Sequence, residues 1–178
     1  MIFDVVYSDP PWRYDFSKKT ADSIEAHYPT MACEDIMSLD VPSASNSVLY
    51  LWATAPKLIE ALSVMSAWGF KYKTNMVWDK ERIGLGYWSR VQHEHLLIGT
   101  RGHFSPPDYR YRVSSVYREK KTKHSKKPDA IRDMIANAYS QCSKLELFGR
   151  EEHEGWVVVG NEIGGKDIRD SLKELRER

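Results

Sequence analysis

An acid, two prolines and a tryptophan in succession, Asp9-Pro10-Pro11-Trp12, are the residues best suited to chemistry in this sequence. They follow the apolar run Phe3-Asp4-Val5-Val6-Tyr7, which predicts a buried strand. The prolines fix φ and carry no backbone N–H, so their carbonyls act purely as acceptors. Asp9 adds a carboxylate acceptor and Trp12 a flat apolar face. Acceptors beside a stacking surface suit the holding of an aromatic amine by its two N–H groups. The alternative is structural: a Pro-Pro turn, a core-packed Trp12, and Asp9 capping the next turn.

An exocyclic amine such as that of adenine is a poor nucleophile, because its lone pair is delocalised into the ring. A carboxylate and a carbonyl that each accept one N–H let the nitrogen pyramidalise and aim its lone pair. Orientation and positioned acceptors then lower the barrier. The turn is followed in order by His27-Tyr28-Pro29-Thr30-Met31, Leu49-Tyr50-Leu51-Trp52, Met76-Val77-Trp78 and Glu94-His95-Leu96-Leu97-Ile98-Gly99. Ser125-Lys126-Lys127-Pro128-Asp129, Glu146-Leu147-Phe148-Gly149-Arg150 and Trp156-Val157-Val158-Val159-Gly160-Asn161 complete the set. With these segments the chain resembles the MT-A70 family of adenine-N6 methyltransferases over most of its length.

That resemblance implies a Rossmann-like α/β fold in permuted order, with the catalytic turn first and the cofactor-side Phe-Gly last. It implies S-adenosylmethionine as methyl donor; the chain has no G-x-G-x-x-G fingerprint from which a cofactor could be read. The catalytic residues carried over are Asp9, Pro10, Pro11 and Trp12, with the acceptor adenine against Trp12 and Tyr28 and Glu94 facing the base. Asp9 and Pro10 also adjoin the donor. Lys127 corresponds to the lysine at the donor's carboxylate end and Arg150 to the arginine near its ribose. Asn161 and Glu162 correspond to a polar pair that takes ribose hydroxyls. Two departures stand out. The strand that larger relatives carry before the catalytic one is absent, and the turn Glu151-Glu152-His153-Glu154-Gly155 is shorter and more acidic than its counterpart, with His153 a stand-in for that loop's histidine.

A chain of 178 residues predicts a single domain, 1–178, with room for a sizeable core. Six Trp and ten Tyr supply that core and also what base stacking needs. Cys33 and Cys142 form no disulfide framework, Met1 leads into a strand without a basic segment, and no apolar run reaches spanning length. A cytoplasmic protein without a membrane partner is expected. His93-Glu94-His95 puts two imidazoles on one strand face, but nothing completes a metal site, so none is expected.

The elements that must position the turn alternate in type. After a polar loop over 13–26, a short helix is expected near 33–39 and a strand over 47–53. Pro56 opens a helix with Leu58, Leu62 and Met65 inward, ended by Gly69. Strands are expected over 71–78, 94–99, 144–148 and 156–159. Helices begin at Pro128 (inward stripe Ile131, Met134, Ile135, Ala138) and run over 167–176 (Ile168, Leu172, Leu175). This alternation predicts an α/β sheet layered by helices. Residues 80–92, with Tyr87, Trp88 and Arg90, read as a substrate-recognition loop or a homodimer contact.

Residues 101–127 carry nine Lys or Arg against Asp108 and Glu119, so they hold +7 and the remainder of this +1 chain holds −6. Tyr109, Tyr111 and Tyr117 interleave with the charges, and Lys120, Lys121 and Lys123 cluster. Such a loop predicts contact with the phosphates of adenine-containing DNA or RNA; a solvated face is the plainer alternative. DNA is favoured over RNA. The rival functions are a non-catalytic nucleic-acid-binding subunit, against which Asp9 and Trp12 speak, and methylation of a protein amide.

Overall fold

The computed structural model describes residues 1–14, 30–120, 126–161 and 163–177. Seven strands form one sheet: β1 Phe3–Ser8, β2 Ser43–Ala53, β3 Lys71–Asp79, β4 His93–Arg101, β5 Val116–Arg118, β6 Lys144–Leu147 and β7 Val157–Val159. Their order is β5-β3-β4-β2-β1-β6-β7. β1 pairs in parallel with both β2 and β6, β6 with β7, and β3 with β5. β4 is antiparallel to both β2 and β3. The central strands are nearly continuous apolar runs, such as Val48-Leu49-Tyr50-Leu51-Trp52, because helices and loops cover both faces.

The period-two alternation of the strands sorts side chains into two layers. Val6, Leu49, Leu51, Leu145 and Leu147 face one side. There they meet α1 (Cys33–Met37), α2 (Leu58–Ala67) and α4 (Ile168–Glu177) through Ile36, Ala61, Met65, Ile168, Leu172 and Leu175. Val5, Tyr7, Val48, Tyr50, Trp52 and Leu96 face the other side, against Ile131 and Ile135 of α3 (Asp129–Ala138). The inward stripe of α4 is the one its spacing predicts.

Other elements differ from expectation. Pro56 lies in a 3-10 turn, Ala55–Lys57, ahead of α2, and the buried residues of α2 are Ala61, Val64 and Met65. Leu62 is exposed. Counting i+4 from Leu58 selects a row that drifts off the face, whereas i+3 from Leu58 reaches Ala61 and then Val64. β2 begins earlier than expected, at Ser43. The basic segment is not wholly loop, for it contains β5 and a 3-10 turn, Tyr109–Tyr111. Most of the loop expected over 13–26 lies outside the described residues. Among the described residues no helix is long and apolar enough to cross a membrane.

On the α3 side a cavity of about 600 Å³ lies between the sheet and residues 104–115, lined by Val48, Ile98, Phe104, Met134 and Tyr139. It sits near Val48 and Thr100, which pair at the far end of the sheet from the C-terminal end of β2. Replacement of Met65 by Ala should lower stability by about 2–5 kcal/mol, because the site cannot collapse. Leu62→Ala should change it by less than about 1 kcal/mol, since the side chain is already wet. Denaturant titration of both variants checks the face; equal losses would contradict it.

Candidate active site

Because only β4 runs against the other strands, its start shares one end of the sheet with the C-terminal ends of β1, β3, β6 and β7. Asp9 follows β1, Lys80 follows β3, Phe148-Gly149 follow β6 and Gly160-Asn161 follow β7, while Glu94 opens β4. The chain winds from β1 outward to β2 and later to β6 on the opposite side, so β1 is the switch strand. In open α/β sheets the crevice beyond the switch strand is where ligands bind.

The turn after β1 is held from two sides. Trp12 N–H donates to the Pro10 carbonyl at 2.9 Å, and Met31 N–H to the Pro11 carbonyl at 2.8 Å. The Trp12 indole is buried in the core and its Nε1 donates to the Trp52 carbonyl at 3.2 Å. The open stacking face expected of Trp12 is therefore corrected: an indole with its polar edge satisfied in the core anchors the turn. The Pro10 carbonyl has one lone pair engaged and one left.

Asp9 Oδ2 lies 2.8 Å from Lys127 Nζ, and the same ammonium lies 3.2 Å from Glu94 Oε2. Glu94 Oε1 is in turn 3.2 Å from Lys80 Nζ. The result is a chain of alternating charge, Asp9–Lys127–Glu94–Lys80, in which Asp9 is the most open at 30% side-chain exposure. Burial raises the Asp9 carboxyl above its ordinary value, and the Lys127 ammonium only partly offsets this. Burial alone would lower Lys127, but Asp9 and Glu94 outweigh it and hold the ammonium well above its usual range. Glu94 is opposed by burial too, yet Lys127 and Lys80 keep it below the usual range. Lys127 Nζ also stands 5.6 Å from the centre of the Trp52 ring, whose Nε1 donates to the Tyr7 hydroxyl at 2.6 Å.

A third acid lies beside this chain. Glu146, on β6, points to the α3 side, where Arg132 Nη1 is 3.7 Å and His153 Nε2 4.0 Å from its Oε2. Among the described residues that oxygen is buried without a hydrogen-bond partner. Burial pushes the Glu146 carboxyl up to about 7, against the attraction of Arg132 and with the repulsion of Asp9. The His153 imidazole is lowered by burial first and by Arg132 next. Phe148, just beyond β6, has φ of 63°, a left-handed conformation rare for an aromatic residue and a mark of a constrained turn.

Asp9, Pro10, Pro11, Trp12, Glu94 and Lys127 are thus brought together. Arg150 and Asn161 are exposed at the same end of the sheet, and the Arg150 charge reaches Asp9. Tyr28, Lys121, Lys123 and Glu162 lie outside the described residues, and Lys120 is exposed. Within the basic segment Lys126 pairs with Asp129 at 2.8 Å and Arg118 with Asp79 at 3.5 Å, so part of its charge is met inside the fold. The His93 and His95 rings meet edge-on at 4.9 Å. Sequence reasoning assigned nothing to Lys80, Arg132 or Glu146. Glu146 was visible as the single acid inside an apolar strand, Lys144-Leu145-Glu146-Leu147, which is a signal for a buried charge with a task.

A mixed, mostly parallel sheet with an acid-bearing turn at its switch strand is a Rossmann-like arrangement. The MT-A70 family model matches residues 3–162. The type II methyltransferase M.MunI of a Mycoplasma species is 32% identical over 93% of this chain and 80% of its own length. An MT-A70-like N(6)-adenosine-methyltransferase of Arabidopsis thaliana is 30% identical over 92% of this chain. The Homo sapiens catalytic subunit METTL3 is 28% identical over 94% of it. The chain spans 24% of the Arabidopsis relative and 29% of the human one. It belongs to the MT-A70 family, and with it to the S-adenosylmethionine-dependent adenine-N6 methyltransferases.

Glu146 gives the site a pH signature. The folded state holds its proton more tightly than the unfolded chain, whose value is near 4.5. Its contribution is full below that pH and is lost as pH rises through about 7. The loss is at most about 3 kcal/mol, the linkage equivalent of such a shift. Thermal midpoints measured across that window should decline in the native chain and flatten in Glu146→Gln; an unchanged slope in the variant would assign the titration to another group.

Proposed function

We propose that the chain methylates the N6 amine of adenine in nucleic acid, with DNA favoured over RNA, and that Asp9 and the Pro10 carbonyl hold the amine. The observation that carries the reading is the Asp9 carboxylate, bound to Lys127 at 2.8 Å and still partly open, at the end of the switch strand. One N–H of the amine is accepted by Asp9 and the other by the remaining lone pair of the Pro10 carbonyl. The nitrogen then pyramidalises toward the donor side of the cleft. Lys127 partly offsets the burial that opposes the Asp9 charge; in this reading Asp9 acts as an acceptor rather than a strong base, and the proton leaves after transfer.

The residues present fit S-adenosylmethionine, which when bound supplies an electrophilic methyl group on a cationic sulfur. The buried Glu146 oxygen without a partner, and the acids Asp9 and Glu94 nearby, suit a ligand with cationic and hydroxyl groups. Lys127, Arg150, Asn161 and Glu162 complete the proposed donor set, with Lys127 offering its remaining N–H to the donor's carboxylate. Tyr28 and Trp12 belong to the acceptor side, Trp12 through its support of the turn.

The preference for DNA over RNA belongs to the same proposal, and transfer to DNA and RNA oligonucleotides measured in parallel decides it. Basic residues including Lys120, Lys121 and Lys123 are proposed to meet phosphates, which position the strand without reading its sequence. A duplex target requires the adenine to be flipped out, at a cost of a few kcal/mol. A cytoplasmic location, action without a membrane, and one catalytic domain over 1–178 belong to the same proposal. So does a homodimer as the alternative use of the 80–92 loop.

Asp9→Ala should abolish methyl transfer from labelled donor to DNA and RNA oligonucleotides while donor affinity stays within a few-fold. The lost stabilisation is about 2–4 kcal/mol, by comparison with oxyanion-hole deletions. Turnover close to that of the native chain would refute the assignment. Lys127→Ala and Asn161→Ala should each weaken donor binding in calorimetry by about 1–3 kcal/mol, the cost of leaving a polar partner unmet. Unchanged dissociation constants in both would move the donor site elsewhere.

A further inference from the structure

The loop between β3 and β4 leaves its largest side chains in water. Leu85 is 87% exposed, Tyr87 103% and Trp88 102%, with Ile83 at 59%. Large apolar groups gathered in this way mark a contact surface. The loop is nonetheless well braced. Lys80 N–H donates to the Gln92 carbonyl at 2.9 Å, Gly84 N–H to the Val91 carbonyl at 2.9 Å, and Arg90 Nε to the Gly84 carbonyl at 2.6 Å. Gln92 Nε2 donates to Asp79 Oδ1 at 2.8 Å, closing the base. A Cβ on Gly84 would meet the Val91 carbonyl oxygen at 2.7 Å, and one on Gly86 the Ser89 carbonyl oxygen at 1.9 Å. The backbone therefore closes on itself and holds the aromatic rings outward, so that little ordering remains to be done on binding.

Place and charge select the occupant. The loop springs from the Asp79–His93 pair, directly beside the Lys80–Glu94 contact that leads to Lys127 and Asp9. Across residues 80–92 it carries Lys80, Arg82 and Arg90 against Glu81, a net charge of +2, with both arginines beside the aromatic tip. A symmetric contact between two copies would set these arginines against each other's like charges. Exposed aromatics among arginines suit the faces of bases and their phosphates.

We propose that Tyr87 and Trp88 form a base-stacking platform for nucleotides flanking the target adenine. This deepens the proposed function and rests on it. The platform grips unpaired bases through their π-faces, without regard to sequence, while Arg82 and Arg90 meet the backbone.

Trp88 also supplies its own probe. The other five of the six tryptophans, Trp12, Trp52, Trp68, Trp78 and Trp156, are buried, so quencher-accessible tryptophan emission reports Trp88. The full chain is titrated with labelled single-stranded DNA and RNA oligonucleotides, alongside Tyr87→Ala/Trp88→Ala and Trp88→Phe. Oligonucleotide should shield Trp88 from iodide in the native chain. The double variant should bind roughly ten-fold or more weakly, as loss of one or two stacked bases implies. Its salt slope should be unchanged, because no phosphate contact is removed. Trp88→Phe should restore most of the affinity. Full iodide access in the complex, or equal affinity of the double variant, overturns the proposal. So does a native dimer that the double variant dissolves without loss of oligonucleotide affinity, which makes the loop a protein contact. Absence of any oligonucleotide binding by the native chain defeats the nucleic-acid reading itself, and the platform falls with it.

Discussion

One ammonium group organises the candidate site of this molecule. Lys127 lies between Asp9 and Glu94, at 2.8 and 3.2 Å, where two acids are brought from strands β1 and β4. Without a cation between them, two partly buried carboxylates at such separation would repel, and one would keep its proton. With it, the Asp9 charge is partly compensated in a place where burial works against it. Lys80 extends the compensation to the far side of Glu94. Each charge is tolerable only because its neighbour is present, so the group acts as a unit.

The sheet topology makes that meeting possible. A single antiparallel strand, β4, brings its first residues to the end where the parallel strands finish. Glu94 and Asp9 are 85 positions apart in sequence and share one cation in space. The tryptophans serve the same purpose from below. Trp12 Nε1 donates to the Trp52 carbonyl and Trp52 Nε1 to the Tyr7 hydroxyl, so the catalytic turn, β2 and β1 are tied through satisfied polar edges in the core. A turn held in this way loses little freedom when a substrate arrives, which is how orientation contributes to rate.

Glu146 stands apart from that balance. Arg132 is at 3.7 Å rather than at hydrogen-bonding distance, and one carboxylate oxygen has no partner. Its raised value, about 7, expresses an environment short of donors. A site with that deficit favours a ligand that brings cationic or hydroxyl groups, whose binding would relieve the strain that the free protein carries.

How much of this could be read without the structure follows from the range of the forces involved. Continuous apolar runs such as Leu49-Tyr50-Leu51-Trp52 and the stripe Ile168, Leu172, Leu175 are local, and they were legible as strand and helix. So were the ordered segments that carry the family resemblance, and through them Asp9, Lys127 and Glu94 as candidates, which the fold brings together. Leu62 was misplaced because neighbouring helical rows differ by a fraction of a turn, and only the packed sheet chooses between them. Trp12 read as a stacking face because an indole beside prolines looks the same whether wet or buried; the Trp52 carbonyl, 40 residues away, decided it. Lys80, Arg132 and Glu146 went unassigned because a charge announces its partner only when the chain has folded. Sequence determines which groups are present and the local periods that shape the elements. Tertiary structure decides which charges meet, because Coulomb and hydrogen-bond energies depend on distance in space, and that distance is set by the order of strands in the sheet.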